Sequence, residues 1–346
     1  AKPRASDWVY VHNFENQYEP DAIALPAGRG VRFREDMKRF IEEARRALPR
    51  AFESEEYAKR RDETLKTLQG RRTDLVARIN QRAQEQGFVI QMSPIGLLTI
   101  PVINGRPIPE EEFISLPDEM RAEVQRRRDA LNTELRSVLR QVQDIERQGA
   151  EAVRDLNHDI ALYAIGNLVA ELKENYAGVP EIPEYIDAVQ NDILENLQTF
   201  LGVAEQPEVP PQFQAFIREL PFRKYDVNVV VDNADIKGAP VIVEQNPTFQ
   251  NLLGKIEKEV QFGIFTTDFT MIRPGSLHMA NGGYLVLSVE DLLRNPFSWD
   301  GLKTALKTGK AVIEEPGERM GFVTAKTIKP EAIALDIKVT LIGTPM

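Results

Sequence analysis

The chain has 346 residues, 42% hydrophobic and 28% charged, with a formal charge of −10, a length that holds two or three domains and a sizeable core. The acidic balance excludes broad nucleic-acid binding, which depends on neutralising phosphates, and no run of about 18 apolar residues is present to span a membrane. The absence of cysteine removes disulfides, thiolate metal sites and cysteine nucleophiles, and it suits a reducing cytoplasm.

The opening AKPRASDW lacks the apolar centre of a secretory signal. With no initiator methionine, and an end at LIGTPM directly after an apparent strand, the chain is expected to be a piece of a longer protein. Trp8 to His12 alternates aromatic and β-branched residues and predicts a strand, Pro26, Gly28 and Gly30 mark a turn, and 33–48 has helical spacing up to Pro49. Leu65, Leu68, Leu75 and Ile79, with Arg72 filling one position, form a stripe stepping by three and four. Leu131, Leu135, Val138, Val142 and Ile145 repeat the pattern of a coiled-coil seam. The spacing predicts long helices over 55–86 and 118–176, which as an antiparallel pair would bury their stripes against each other.

Between them, 88–92 and 97–103 flank Ser93-Pro94-Ile95-Gly96 and predict a β-hairpin over 88–103, followed by the turn Asn104-Gly105. Both strands are apolar. If exposed, Phe88, Ile90, Met92, Leu97, Leu98 and Ile100 form a contiguous patch of the kind that binds apolar partners. If buried, they form a satellite core closed by Phe113 and Ile114. A further helix is predicted over 183–200, then a proline-rich linker over 206–211. Strands are predicted over 225–232 and 284–287, with extended chain over 239–244 and an amphipathic helix over 299–307. The pairs 311–313 and 322–324 suit a hairpin, and a last strand covers 337–342. The outer blocks share an α/β style that the middle lacks. The expected fold is α+β and mostly α: an α/β domain of 1–51 and 221–346, split by a helical insertion, 52–220, that carries the hairpin.

Asn281 to Leu293, NGGYLVLSVEDLL, is the stretch closest to chemistry. Its short apolar run predicts a buried strand. Nucleotide-hydrolysing sheets end such a strand in acids that hold Mg²⁺ and orient water. Here the strand runs into Ser288 and Val289, and Glu290 and Asp291 follow where a helix should begin and acids complement its dipole. No phosphate loop of the form G-x-x-x-x-G-K-[ST] occurs. His12, His158 and His278 are scattered and predict structural roles, and Asp226, Asp232 and Asp235 predict turns or caps. No metal site and no cofactor is expected.

The segments YDVNVVVDN (225–233), GAPVIVEQNPTFQNLLGKIE (238–257), TDFTMIRPGSLHMANGGYLVL (267–287) and DWVYVHNFENQYEPDAIALPAGRG (7–30) resemble the Lon-related proteases, in which an AAA+-type module is fused to a Ser-Lys peptidase domain. The resemblance is greatest to the ATP-independent Lon-like class. It implies that the α/β parts are AAA-like, that the serine and lysine of the dyad lie outside this chain, and that Ser288 and Val289 occupy the family's magnesium-binding positions. Together with Glu290, Asp291 and Thr344, just beyond the last strand, they would form a degenerate nucleotide site. Met271, Ile272 and Leu277 fall near a loop that can face the pore of such rings. The implied function is capture of unfolded polypeptides by the insertion and delivery to the protein's own peptidase domain. The implied assembly is a homo-oligomer, a hexamer, with neither nucleic acid nor membrane as a partner. The alternatives are a working ATP-dependent motor and a purely structural arm.

Overall fold

The computed structural model describes residues 4–93, 96–103, 105–203, 210–261, 264–295, 297–314 and 328–344. The chain is α+β and mostly helical, and it divides into two compact units, 1–49 with 163–346, and 50–162. Residues 163–220, grouped by composition with the helical insertion, fall in the first unit.

Strands β1 (Asp7–Val11) and β2 (Asp21–Leu25) pair antiparallel with Val9 opposite Ile23. Gly28, at positive φ, turns the chain into α1 (Gly30–Phe52), whose buried Phe33, Met37, Phe40, Ile41, Ala44 and Leu48 step by three and four. The helix passes through Pro49, where the sequence places its end, and stops three residues later. A proline removes one backbone donor and disfavours the turn before it, but with Leu48 fully buried the turn is held. The Asp7 carboxylate is fully buried and accepts the N–H groups of Gly30 and Asn233, each at 2.8 Å, tying the start of α1 to distant chain.

Within 50–162, α2 (Glu55–Glu85) begins at Ser54, whose Oγ accepts the Tyr57 N–H at 3.2 Å. Strands β3 (Phe88–Ser93), β4 (Gly96–Ile103) and β5 (Arg106–Pro107) form an antiparallel sheet, followed by α3 (Glu110–Ile114) and α4 (Asp118–Asn175). Helices α2 and α4 run antiparallel as the heptads predict. The Tyr57 hydroxyl donates to Asn157 at 2.8 Å, Arg72 pairs with Glu146 at 3.5 Å, and Arg82 pairs with Glu134 at 3.7 Å. Ile79, Ala83, Leu131 and Leu135 form the buried seam beneath the sheet.

Back in the first unit, α5 (Glu181–Glu195), α6 (Leu197–Phe200) and α7 (Pro211–Glu219) precede β6 (Asn228–Val231), which joins β1 to complete the sheet β2-β1-β6. Strand β6 is shorter than the predicted 225–232, because a 3-10 turn, Leu220–Tyr225, holds Tyr225 in place with its hydroxyl donating to Asp192 at 2.5 Å. The linker residues 206–209 lie outside the described residues.

The remaining chain supplies β7 (Val241–Glu244), α8 (Phe249–Leu253), β8 (Lys255–Ile256), β9 (Glu259–Gln261), β10 (Ile264–Thr266), β11 (Ile272–Arg273), α9 (Ser276–Met279), β12 (Tyr284–Ser288), α10 (Val289–Arg294), α11 (Ser298–Thr308), β13 (Lys310–Ala311), β14 (Ile333–Ala334) and β15 (Lys338–Ile342). Ala311 pairs with Ile333, and its expected partner 322–324 lies outside the described residues. Strands β7, β12 and β15 form a parallel sheet with β12 central. Leu285, Leu287, Ile242 and Val339 share one face and pack against Leu252, Leu277, Leu292 and Leu302. The alternation puts Tyr284, Val241, Val243 and Ile342 on the other face, where Val241 is 63% and Ile342 59% exposed.

Candidate functional site

Two regions carry the residues singled out by the sequence. The first is the carboxyl end of the parallel sheet. Ser288 is the last residue of β12 and caps α10, its Oγ accepting the Asp291 N–H at 3.3 Å. A cap needs the side chain folded back on its own helix, so this hydroxyl is turned to backbone. Val289 fills the space beside it. A β-carbon on Gly343, just past β15, would meet Val289 Cγ1 at 2.6 Å. Glu290 and Asp291 lie in the first turn of α10. Asp291 pairs with Arg294 at 3.6 Å, and Glu290 Oε1 accepts the Thr344 hydroxyl at 2.5 Å. The structure thus brings Glu290 and Thr344 together. Among the described residues there is no group of three His, Cys, Asp or Glu arranged to hold a metal ion.

The second region is the arm hairpin, whose six flagged residues do not share one face. In the register Phe88↔Pro101, Ile90↔Thr99 and Gln91↔Leu98, the face of Phe88 turns toward the helices. Phe88 is buried among Ile79, Ala83, Leu131 and Leu135, with Ile90 half-buried against them, and the Thr99 hydroxyl donates to Asn132 at 3.1 Å. An exposed Phe88 is therefore corrected: it belongs to the core of the arm. The opposite face carries Leu98, 44% exposed, with Ile100 half-buried and Val89, opposite Ile100, 39% exposed. Val89 was missed as a candidate although period-two alternation places it there. Met92 pairs with Leu97, and the side chains of both lie outside the described residues. Phe113 is buried, with Arg128 5.1 Å over its ring, whereas Ile114 is exposed and closes nothing.

Other expectations resolve more simply. Met271, Ile272 and Leu277 are buried, so they present no surface to a pore. Asp232 accepts the Ala234 N–H at 3.0 Å, the turn role expected of it. Among the described residues no helix is long and apolar enough to cross a membrane.

Residues 237–346, which hold the parallel sheet and its carboxyl end, match the family model described as LonB-like, AAA domain. Residues 7–40, covering β1, β2 and the start of α1, match the Lon-like LonC helical domain. Both matched regions are similar to Lon-related families. No curated protein matches the chain. The end of β12 at Ser288 therefore falls inside the first match, while the arm hairpin falls outside both.

Proposed function

We propose that the chain is the AAA-like, substrate-holding part of a Lon-like serine protease that works without ATP turnover. It captures unfolded polypeptides on the arm and passes them to a peptidase domain outside this chain, within a homo-oligomer that is a hexamer by family resemblance. The observation that carries the reading is Ser288. Where a metal-binding acid belongs, a serine is committed to capping α10, and Val289 packs against Gly343 beside it. Capture is assigned to the outward face of the hairpin, Val89, Leu98 and Ile100. Each apolar side chain that a substrate buries there contributes about 1.5–3 kcal/mol, enough for several weak contacts to hold a chain without sequence specificity.

Calorimetric titration of the full-length protein with ATP, with and without Mg²⁺, tests the first half. No Mg²⁺-dependent binding is expected, and stoichiometric tight binding with phosphate release sinks it. Suppression of aggregation of an unfolded client tests the second. Val89→Ser with Leu98→Ser should reduce suppression severalfold while the protein stays folded, and unchanged suppression removes the hairpin as the capture surface. One contact favours a working motor instead: Glu290 and Thr344, hydrogen-bonded across the sheet's carboxyl edge. In that case Glu290→Gln abolishes phosphate release.

A further inference from the structure

Away from the arm, the corner between α10 and α11 leaves three large apolar side chains open to solvent. Leu293, in the last turn of α10, is 62% exposed, and Phe297, in the connection, is 44% exposed. Trp299, in the first turn of α11, is exposed as well. Leu306 lies two turns beyond Trp299 on the same side of the helix and is also exposed. Lys303, between them, holds its ammonium 5.4 Å from the centre of the Trp299 ring. A second side of α11 carries Leu302 and Ala305, buried in the core of the parallel sheet. The helix is thus apolar on two sides, the pattern of one that is covered on both.

The backbone supplies a second observation. Phe297 has a φ of 67° and is the one non-glycine at positive φ among the described residues. Left-handed backbone drives a Cβ against the following carbonyl, a clash that glycine escapes and asparagine tolerates. Phe297 also holds the N-cap position of α11, where its side chain makes no capping bond. Glycine or asparagine would suit the turn and the helix start better, so local stability does not account for a phenylalanine. Its carbonyl accepts the Gly301 N–H at 2.8 Å, and Ser298 beside it is fully buried. The chain is therefore fixed around a strained residue whose ring stays exposed. Strain of this kind collects at clamps and switches, where a residue grips something beyond its own fold.

The charges around the corner select the occupant. Asp291 and Asp300, which flank it, are committed to Arg294 at 3.6 Å and to Lys303 at 2.8 Å. Lys307 and Lys310 are exposed and, among the described residues, form no ion pair. The free charge here is positive, on a chain whose net charge is −10. The complement of this face is apolar surface with free acids, which the face itself lacks. It therefore does not match its own copy across a two-fold axis, but it suits acidic surface elsewhere on that copy. We infer that the α10–α11 corner docks head to tail on a second copy of this chain, with Phe297 and Trp299 as its anchors. This contact rests on the reading of the protein as a homo-oligomer and is the face that holds it together.

The test is sedimentation velocity of the full-length protein at low and at high salt. The wild type should assemble, more weakly at high salt. Phe297→Gly removes the ring and relieves the backbone, so it should weaken assembly about tenfold while raising the melting temperature of the dissociated chain. Lys307→Glu with Lys310→Glu should weaken assembly severalfold. Leu293→Ser with Leu306→Ser, both at exposed positions, carries the test if Phe297→Gly does not fold. A wild type that sediments as a single subunit overturns the homo-oligomer reading and this contact with it. An assembled wild type whose folded variants associate with unchanged affinity overturns the contact alone. A complex that stops at a dimer overturns the head-to-tail geometry. Variants that assemble normally but suppress client aggregation less assign the face to unfolded polypeptide, and that result also overturns the contact.

Discussion

His278 is fully buried in α9, its Nδ1 accepting the Gly275 N–H at 3.2 Å and its Nε2 without a partner. Burial lowers its pKa to about 4, against an ordinary value of 6.5. The unfolded chain therefore takes up a proton before the folded one does. The contribution of this residue to stability is complete above pH 6.5 and is lost as the pH falls toward 4, by at most about 1.4 kcal/mol per pH unit. Urea midpoints of the wild type and His278→Leu at pH 7 and pH 5 should diverge accordingly, with the variant losing less on acidification. A pH-independent difference shows that the histidine titrates alike in the folded and unfolded states. Asp7 is a second buried group with a defined task. Asp7→Ala leaves two buried N–H groups unsatisfied and should cost about 3 kcal/mol in urea unfolding.

On the arm, the two faces of the hairpin make opposite predictions. Phe88→Ala should destabilise by about 3–5 kcal/mol, because it empties a site between α2 and α4, whereas Val89→Ser and Leu98→Ser should change stability by less than about 1 kcal/mol. Thermal unfolding distinguishes them, and similar losses at all three positions mean that the outward face is also packed. The existence of the hairpin and the antiparallel helices was legible, because heptads and short apolar runs are local patterns. Which face points inward was marked inconsistently: Gln91 lies on the outward face of β3, but Thr99 lies on the inward face of β4, so the polar residues of the two strands point to opposite faces. The strand end was legible in part. The acids of α10 followed from helix-start chemistry, but the Glu290–Thr344 bond joins residues brought together only by the parallel pairing of β12 with β15. The passage of α1 through Pro49 was not legible, since burial of Leu48 overrides a local preference.

Across the first unit as a whole, the parallel sheet is covered by core on one face while the other bares Val241, Val243 and Ile342. Parallel sheets are normally covered on both faces, so this surface should bind apolar dyes. Val241→Thr with Val243→Thr should lower the fluorescence of bound anilinonaphthalene sulfonate, and undiminished fluorescence assigns the dye to another surface. The arm has a consequence of another kind, for how related proteins differ in length. Tyr57 with Asn157, Arg72 with Glu146, and Arg82 with Glu134 fix α2 and α4 in one antiparallel register. An insertion in one helix slides every contact beyond it and turns its seam away from its partner. Length variation in this arm should therefore arise as matched insertions, in steps of about seven residues, one in each helix at positions that face each other.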